Sequence, residues 1–144
     1  MTARTQVANI VALVKDSSVA EGSSNTPHTA GDYIAAGTVS TTDLRRVLLK
    51  VVNGTTAGTL TVRAPGNGNN VAGSAQTSPY PSNAVFAQGA AGDLTVTWGT
   101  VAGTTMVGPF TTDRFTQPDG NLYLDWSTAT GVSFFVYQGP FNQV

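Results

Sequence analysis

The chain has no cysteine, and this absence excludes disulfide bonds and thiolate metal sites. Charge is also scarce, because only 10% of the 144 residues are charged, against about 25% in an ordinary soluble domain. The formal net charge is −1 and Glu21 is the only glutamate, a composition that disfavours long solvated helices. The seven Lys and Arg residues are spread along the chain, so the sequence argues against a nucleic-acid partner.

Long hydrophobic runs are missing as well. No stretch approaches the ~18–20 apolar residues that span a bilayer, so we expect no membrane partner. Arg4 followed by the apolar segment 7–14 is superficially similar to a signal peptide, but Asn9 interrupts the run and charged residues end it. We therefore predict that residues 1–16 form an N-terminal arm or a first strand. The chain length fits one domain, residues 1–144.

The clearest positive signal is an alternation of apolar and polar residues with a period of two. In one example, Leu94, Val96 and Trp98 would share one face of a strand while threonines occupy the other face. No helical window competes with this pattern, which predicts an all-β, antiparallel two-layer β-sandwich, either Ig-like or jelly-roll, with seven or eight strands. The strands are predicted at 10–14, 46–52, 59–63, 94–98, 104–107, 113–117, 122–126 and 132–137.

Glycine-containing motifs separate these strands. Pro118-Asp119-Gly120 predicts a hairpin between the strands at 113–117 and 122–126, because glycine supplies the positive φ that closes such a turn. Asn53-Gly54 and the segment 99–103 predict two further hairpins with loops of a few residues.

Two long segments, 17–42 and 64–92, interrupt the strand pattern and are predicted to be surface loops of one domain. His28 in the first of them is the only histidine. It lies near Ser24 and Asp32, so a Ser/His/Asp arrangement can be written, but no nucleophile elbow or other framework motif accompanies it. We therefore expect a solvated loop histidine and no catalytic residue.

The remaining polar motifs indicate neither a metal site nor a cofactor. Asp113, Asp119 and Asp125 lie six residues apart, and the D-x-D-x-D spacing of a calcium loop is absent. The glycines of 66–73 have no accompanying lysine and no predicted helix after them, so they do not form a phosphate-binding loop.

The aromatic residues divide between the two strand faces. Trp98 and Trp126 fall on apolar positions of their strands, which predicts packing in the core. Tyr123, Phe135 and Tyr137 fall on the opposite faces and are candidates for a contact surface that meets a sugar, a neighbouring subunit or the long loops of the same chain.

A series of short motifs resembles a family of small head-associated virion proteins of tailed phages that infect actinobacteria. The resemblance extends over about two thirds of the chain and leaves out most of 17–42 and 64–92, and the segment 64–92 departs from the family pattern by being longer and richer in Pro and Asn. They are TART at 2–5, LLKVVNG at 48–54, LTVRA at 60–64, GDLTV at 92–96, VGPFT at 107–111, RFTQ at 114–117 and DGNLYLD at 119–125.

The resemblance implies a non-enzymatic capsid decoration or minor capsid protein, made in the host cytoplasm and seated on the exterior of the virion shell formed by the major capsid protein. We expect contacts through the N-terminal arm, led by Arg4 and Val7 and laid along a neighbour by strand addition. The loop around Tyr80 is a further expected contact. We also expect the protein to bind its own copies, with a trimer as one arrangement.

Two other functional hypotheses remain open at this point. The first is a carbohydrate-binding module on a tail or fibre, with Tyr123 and Tyr137 as stacking groups. The second is a small hydrolase that uses His28 and Asp32.

Overall fold

Two β-sheets packed face to face form the fold. The computed structural model describes residues 4–14, 16–35, 47–64, 93–110, 115, 117 and 120–139. Within these ranges there is no α-helix, and hence none long and apolar enough to cross a membrane. The predicted two-layer β-sandwich is confirmed, although nine strands are present where seven or eight were expected. The strands are β1 (Thr5–Gln6), β2 (Ile10–Ala12), β3 (Asp32–Ile34), β4 (Val47–Asn53), β5 (Gly58–Val62), β6 (Leu94–Trp98), β7 (Gly103–Phe110), β8 (Leu122–Trp126) and β9 (Val132–Gln138).

One sheet has five strands in the order β1-β3-β8-β5-β6, and the other has four in the order β2-β9-β4-β7. All pairs among β3 to β9 are antiparallel, as the sequence predicts. The first two strands differ, because β1 joins β3 in parallel and β2 joins β9 in parallel. The N-terminal segment therefore adds one short strand to an outer edge of each sheet.

The core lies between the two sheets, where the period of two in the sequence becomes a period of two in burial. Along β4 and β9, each buried residue is followed by a half-buried one. The two tryptophans are buried, as predicted, and pack in a row with Phe134, each ring tilted relative to the next. The ring centroid of Trp126 lies 6.4 Å from that of Trp98 and 4.8 Å from that of Phe134.

Three connections lie together and switch between the sheets, joining β4 to β5, β6 to β7 and β8 to β9. The predicted hairpins at Asn53-Gly54 and at 99–103 are therefore wrong, since β4 pairs with β7 and β9, whereas β5 pairs with β6 and β8. The side-chain amide of Asn53 donates to the carbonyl of Val101 at 2.8 Å, and the Gly54 N–H donates to the carbonyl of Gly131 at 2.8 Å. An Asn-Gly pair signals a turn without deciding which sheet the next strand enters.

The chain reverses before β8 where the sequence predicts a turn. The Gly120 N–H donates to the Gln117 carbonyl at 2.8 Å, and Gly120 has a φ of +87°. Pro118, Asp119 and most of the predicted strand 113–117 lie outside the described residues, as does the predicted loop 64–92 apart from Ala64. The segment 17–42 contains β3, a short strand that the sequence showed only as the apolar pair Tyr33 and Ile34.

Candidate functional site

Residues 4–13 form an N-terminal strap that crosses from the five-stranded to the four-stranded sheet. The Val7 N–H donates to the Tyr33 carbonyl at 2.9 Å, and the Leu13 N–H donates to the Gln138 carbonyl at 2.8 Å. Between these two points the Val7 side chain enters the core and is only 3% exposed. In this structure Val7 is a core residue of its own chain, because the arm adds its strands to the sheets of that chain, and contact of the arm with a neighbour stays a prediction.

Arg4 fixes the beginning of the strap on the outer face of the five-stranded sheet. Its guanidinium makes two hydrogen bonds to the Asp125 carboxylate, one of them 3.1 Å long, and lies 4.4 Å from the centroid of the Tyr123 ring. The Arg4 side chain is 5% exposed, and Tyr123 is buried beneath it. The structure thus brings Arg4 and Tyr123 together, but as an internal contact and not as the exposed surface that the sequence predicted.

The same carboxylate belongs to a chain of alternating charges, Arg4, Asp125, Arg63 and Asp93. Arg63 donates from Nε to Asp125 at 2.5 Å and from Nη1 to Asp93 at 2.9 Å. Burial lowers the pKa of Arg63, but the bonds to the two carboxylates outweigh burial and raise it above its ordinary value. The charges on this outer face therefore satisfy one another.

The strap, the segment 24–28, β3 and β9 line a pocket of about 260 Å³. His28 lies at this pocket, and its Nδ1 is 2.7 Å from Oδ1 of Asp32, which is only 2% exposed. The second oxygen of Asp32 accepts hydrogen bonds from the His28 backbone N–H at 3.0 Å and from the Trp126 indole at 2.9 Å. The expected solvated histidine is instead half-exposed and bonded to a buried carboxylate. The lining residues are Thr5, Gln6, Val7, Ala8, Asn9, Ser24, Asn25, Thr26, His28, Asp32 and Phe134.

The His28 and Asp32 pair has the geometry of the base and its orienting carboxylate in a hydrolase. A carboxylate at Nδ1 fixes the proton there and leaves Nε2 able to accept a proton. Ser24 lines the same pocket, yet in the described part of the chain no serine or threonine hydroxyl is hydrogen-bonded to His28. The arrangement therefore supplies a positioned base without a nucleophile in contact with it, and it fastens the loop to Trp126.

The outer face of the four-stranded sheet carries a different surface, which we call the neutral face: Leu48, Lys50, Val52, Met106, Phe135 and Tyr137. Lys50 is opposite Met106 on one neighbouring strand and opposite Phe135 on the other. The Phe135 and Tyr137 rings are nearly parallel, with centroids 6.5 Å apart, and the Lys50 ammonium lies 4.6 Å from the Phe135 centroid. Met106 is 52% exposed at the edge of this face.

Glu21 reaches the neutral face from the segment that follows the strap. It forms an ion pair with Lys50 and accepts a hydrogen bond from the Tyr137 hydroxyl at 2.9 Å. Hydrogen bonds from Lys50 and Tyr137 lower the pKa of Glu21. Burial, together with the bond to Glu21, raises the pKa of Tyr137 to about 12. The one charge on the face is thus neutralised by a partner of opposite sign.

The remaining candidate residues do not converge on one site. Tyr123 and Tyr137 lie on β8 and β9, which belong to different sheets, and Tyr123 is buried. They do not form the shared stacking platform that the carbohydrate-binding hypothesis requires. Tyr80 lies outside the described residues.

Within the described ranges, no group of three or more His, Cys, Asp or Glu side chains could hold a metal ion. Comparison of the chain with protein-family models, with curated proteins and with solved structures gave no match.

Proposed function

We propose that this protein is a non-enzymatic virion structural protein, a capsid decoration or minor capsid protein that binds the assembled shell of a phage head. The neutral face is the observation that carries the proposal, because it is a sheet surface suited to a protein partner. The motif resemblance supplies the identity of that partner, the major capsid protein.

The composition of the neutral face supports protein binding. Lys50 is the only charged residue in β4, β7 and β9. The centres of protein interfaces are depleted in charge and enriched in aromatic residues and methionine. Phe135, Tyr137 and Met106 provide these residue types on one surface, and Glu21 neutralises the single lysine. A partner could therefore cover this surface without burying an unpaired charge.

The opposite outer face does not offer such a surface. Its charged groups from Arg4 to Asp93 are bonded to one another, and Tyr123 is covered by Arg4. We therefore infer that the four-stranded sheet faces the shell. Many copies on a symmetric lattice would gain stable attachment from individually weak contacts if they also touch one another.

Binding to capsids assembled without this protein tests the proposal. Met106→Asp places a charge on the neutral face at a half-exposed position, so the fold should tolerate it. Val101→Asp is the matched control, because Val101 is 82% exposed in the connection between β6 and β7. We expect Met106→Asp to weaken capsid binding by about tenfold or more, because Lys50, which is opposite Met106, already pairs with Glu21 and burial of a second carboxylate leaves one negative charge in excess, at a cost of at least about 1.4 kcal/mol. Val101→Asp should bind like the parent protein.

The measurement is co-sedimentation of purified protein with the capsids, with occupancy determined by titration. Failure of the parent protein to bind assembled capsids would overturn the proposed function. Equal binding by Met106→Asp and the parent protein would show that the neutral face is not the contact surface.

A further inference from the structure

The strap is attached to the rest of the protein in an unusual way. Its strands β1 and β2 occupy outer edges of two different sheets. Every described residue from 16 to 24 is exposed, so the segment that joins the strap to the body contributes little to the core. The strap is therefore an element whose contacts with the body can break and re-form as a unit.

We propose that the strap is exchanged between copies, so that the strap of one copy occupies the groove of a second copy. The groove is the surface formed by the edges of β3 and β9, the cavity filled by Val7 and the carboxylate of Asp125. This inference rests on the proposed function only in so far as the capsid brings copies close together.

A second copy is the partner that fits because it carries the same strap. In the exchanged form, Arg4 of one copy would meet Asp125 of the other, and the backbone bonds to β3 and β9 would be unchanged in kind. Exchange of an identical element adds no new interface chemistry, which makes it a low-cost route to assembly. A strap from any other protein would need the same arginine and valine at the same spacing.

The joining segment also has enough length for exchange. Residues 14–24 span up to roughly 36 Å when extended, at about 3.3 Å per residue. A tether of this kind gives docking within one chain an effective concentration of the order of millimolar. Exchange should therefore appear where copies are present at about that concentration or above, as on a lattice or in a concentrated refolding mixture.

Charge reversal gives a direct test with the full-length protein. In Arg4→Asp, the strap repels Asp125 of its own groove, and in Asp125→Arg the groove repels its own Arg4. When the two variants are mixed, each strap matches the groove of the other chain. We expect the mixture, refolded together at about 1 mM, to form dimers of one chain of each kind, while each variant alone stays monomeric by light scattering. The double variant Arg4→Asp with Asp125→Arg restores the match within one chain and is the matched control.

Asp125→Arg also removes the bond to Arg63, so a second experiment tests the exchange without charge changes. Gln6 and Tyr33 are partners in the register of β1 and β3, and the Tyr33 hydroxyl donates to the Gln6 side chain at 3.3 Å. The chain has no cysteine, so a Gln6→Cys chain and a Tyr33→Cys chain can form only disulfides that involve the introduced thiols. The double variant in one chain tests whether the geometry permits the bond.

After oxidation of the mixed single variants refolded at about 1 mM, exchange predicts a disulfide-linked dimer that contains one chain of each kind. The yield should fall at least tenfold after refolding at micromolar concentration. If the double variant closes its internal disulfide while the mixture gives no mixed dimer at either concentration, strap exchange is refuted. Neither experiment uses capsids, so this result would leave capsid binding untouched.

Discussion

Replacing Asp32 with alanine should destabilise the fold far more than the loss of one side chain from a three-residue strand would suggest. The carboxylate is 2% exposed and accepts hydrogen bonds from the Trp126 indole and from the His28 backbone and ring. Alanine leaves the indole and the backbone N–H without this acceptor. A buried donor left without a partner costs about 1–3 kcal/mol, so these two donors together give about 2–6 kcal/mol. The His28 ring adds little, because it is half-exposed and can bond to water.

Two other variants set the scale for this prediction. Asp32→Asn retains an oxygen that can accept from Trp126 and from the His28 backbone, so it should cost only about 1 kcal/mol. His28→Ala removes a half-exposed ring and should also cost about 1 kcal/mol or less. We therefore expect Asp32→Ala to lower the free energy of unfolding strongly, and Asp32→Asn and His28→Ala to lower it only slightly.

Urea unfolding followed by tryptophan fluorescence and by circular dichroism measures this order. With a slope of about 2 kcal/mol per molar urea, the midpoint of Asp32→Ala should fall by about 1–3 M. A midpoint of Asp32→Ala no lower than that of Asp32→Asn would refute the reasoning, because the hydrogen bonds accepted by Asp32 would then contribute nothing measurable to stability. A stable His28→Ala protein that lost an ester-hydrolysing activity of the parent would instead support the hydrolase hypothesis.

Three more predictions follow from the described contacts. Val7→Ala should lower the free energy of unfolding by about 2 kcal/mol, measured by urea denaturation, because the valine lies in the core. Gly31→Ala should lower it by roughly 2–3 kcal/mol, since its φ is +97° and a Cβ there would meet the Arg4 guanidinium, whereas Gly99→Ala meets no atom within 4 Å and should be nearly neutral. Tyr137 should ionise near pH 12 in an ultraviolet titration, and the Tyr137→Phe variant, which lacks this signal, identifies it. Glu21→Gln should bring the pKa of Tyr137 closer to 10. Burial and Glu21 raise the pKa of Tyr137 in the folded state, so the contribution of Tyr137 to the free energy of unfolding is present below pH 10 and is lost as the pH rises toward about 12.

The long strands were predictable because their burial is decided locally. The limits of β6 and β8 agree with the sequence prediction to the residue, β9 ends one residue later than predicted, and β4 begins and ends one residue later than predicted. In each of them, alternate residues face the core, so the hydrophobic pattern and the final burial express the same geometry. The positions of Trp98 and Trp126 in the core follow for the same reason.

The pairing of those strands was not predictable from turn motifs. Asn53-Gly54 correctly marks a change of chain direction, but the next strand crosses to the other sheet. Two residues determine the local backbone geometry, whereas sheet membership depends on partners elsewhere in the chain. The sequence did not predict the short strands β1 and β3, because two or three residues carry too little of the alternating pattern to indicate a strand.

Only part of the candidate site could be predicted from the sequence, because some of its contacts join residues that are far apart along the chain. The alternation placed Tyr123 on the outer side of its strand, yet Arg4, far away in the sequence, covers it. The bond between Arg4 and Asp125 links residues separated by 121 positions, and no local signal reports such a contact. By contrast, the aromatic outer face of β9 was visible in the sequence, because Phe135 and Tyr137 both fall out of phase with the core residues.

Strap exchange and shell binding would use different surfaces, but Glu21 connects them physically. Glu21 lies in the segment between the strap and β3, and it neutralises Lys50 and holds the Tyr137 hydroxyl on the neutral face. A strap that leaves its own groove draws on this same segment for length, which moves Glu21 away from both partners. Lys50 and Tyr137 would then be available to acceptor groups on the shell. Exchange among crowded copies would therefore leave Lys50 without its acid partner on the face that binds the shell, so exchange would weaken attachment unless the shell supplies an acidic group to Lys50.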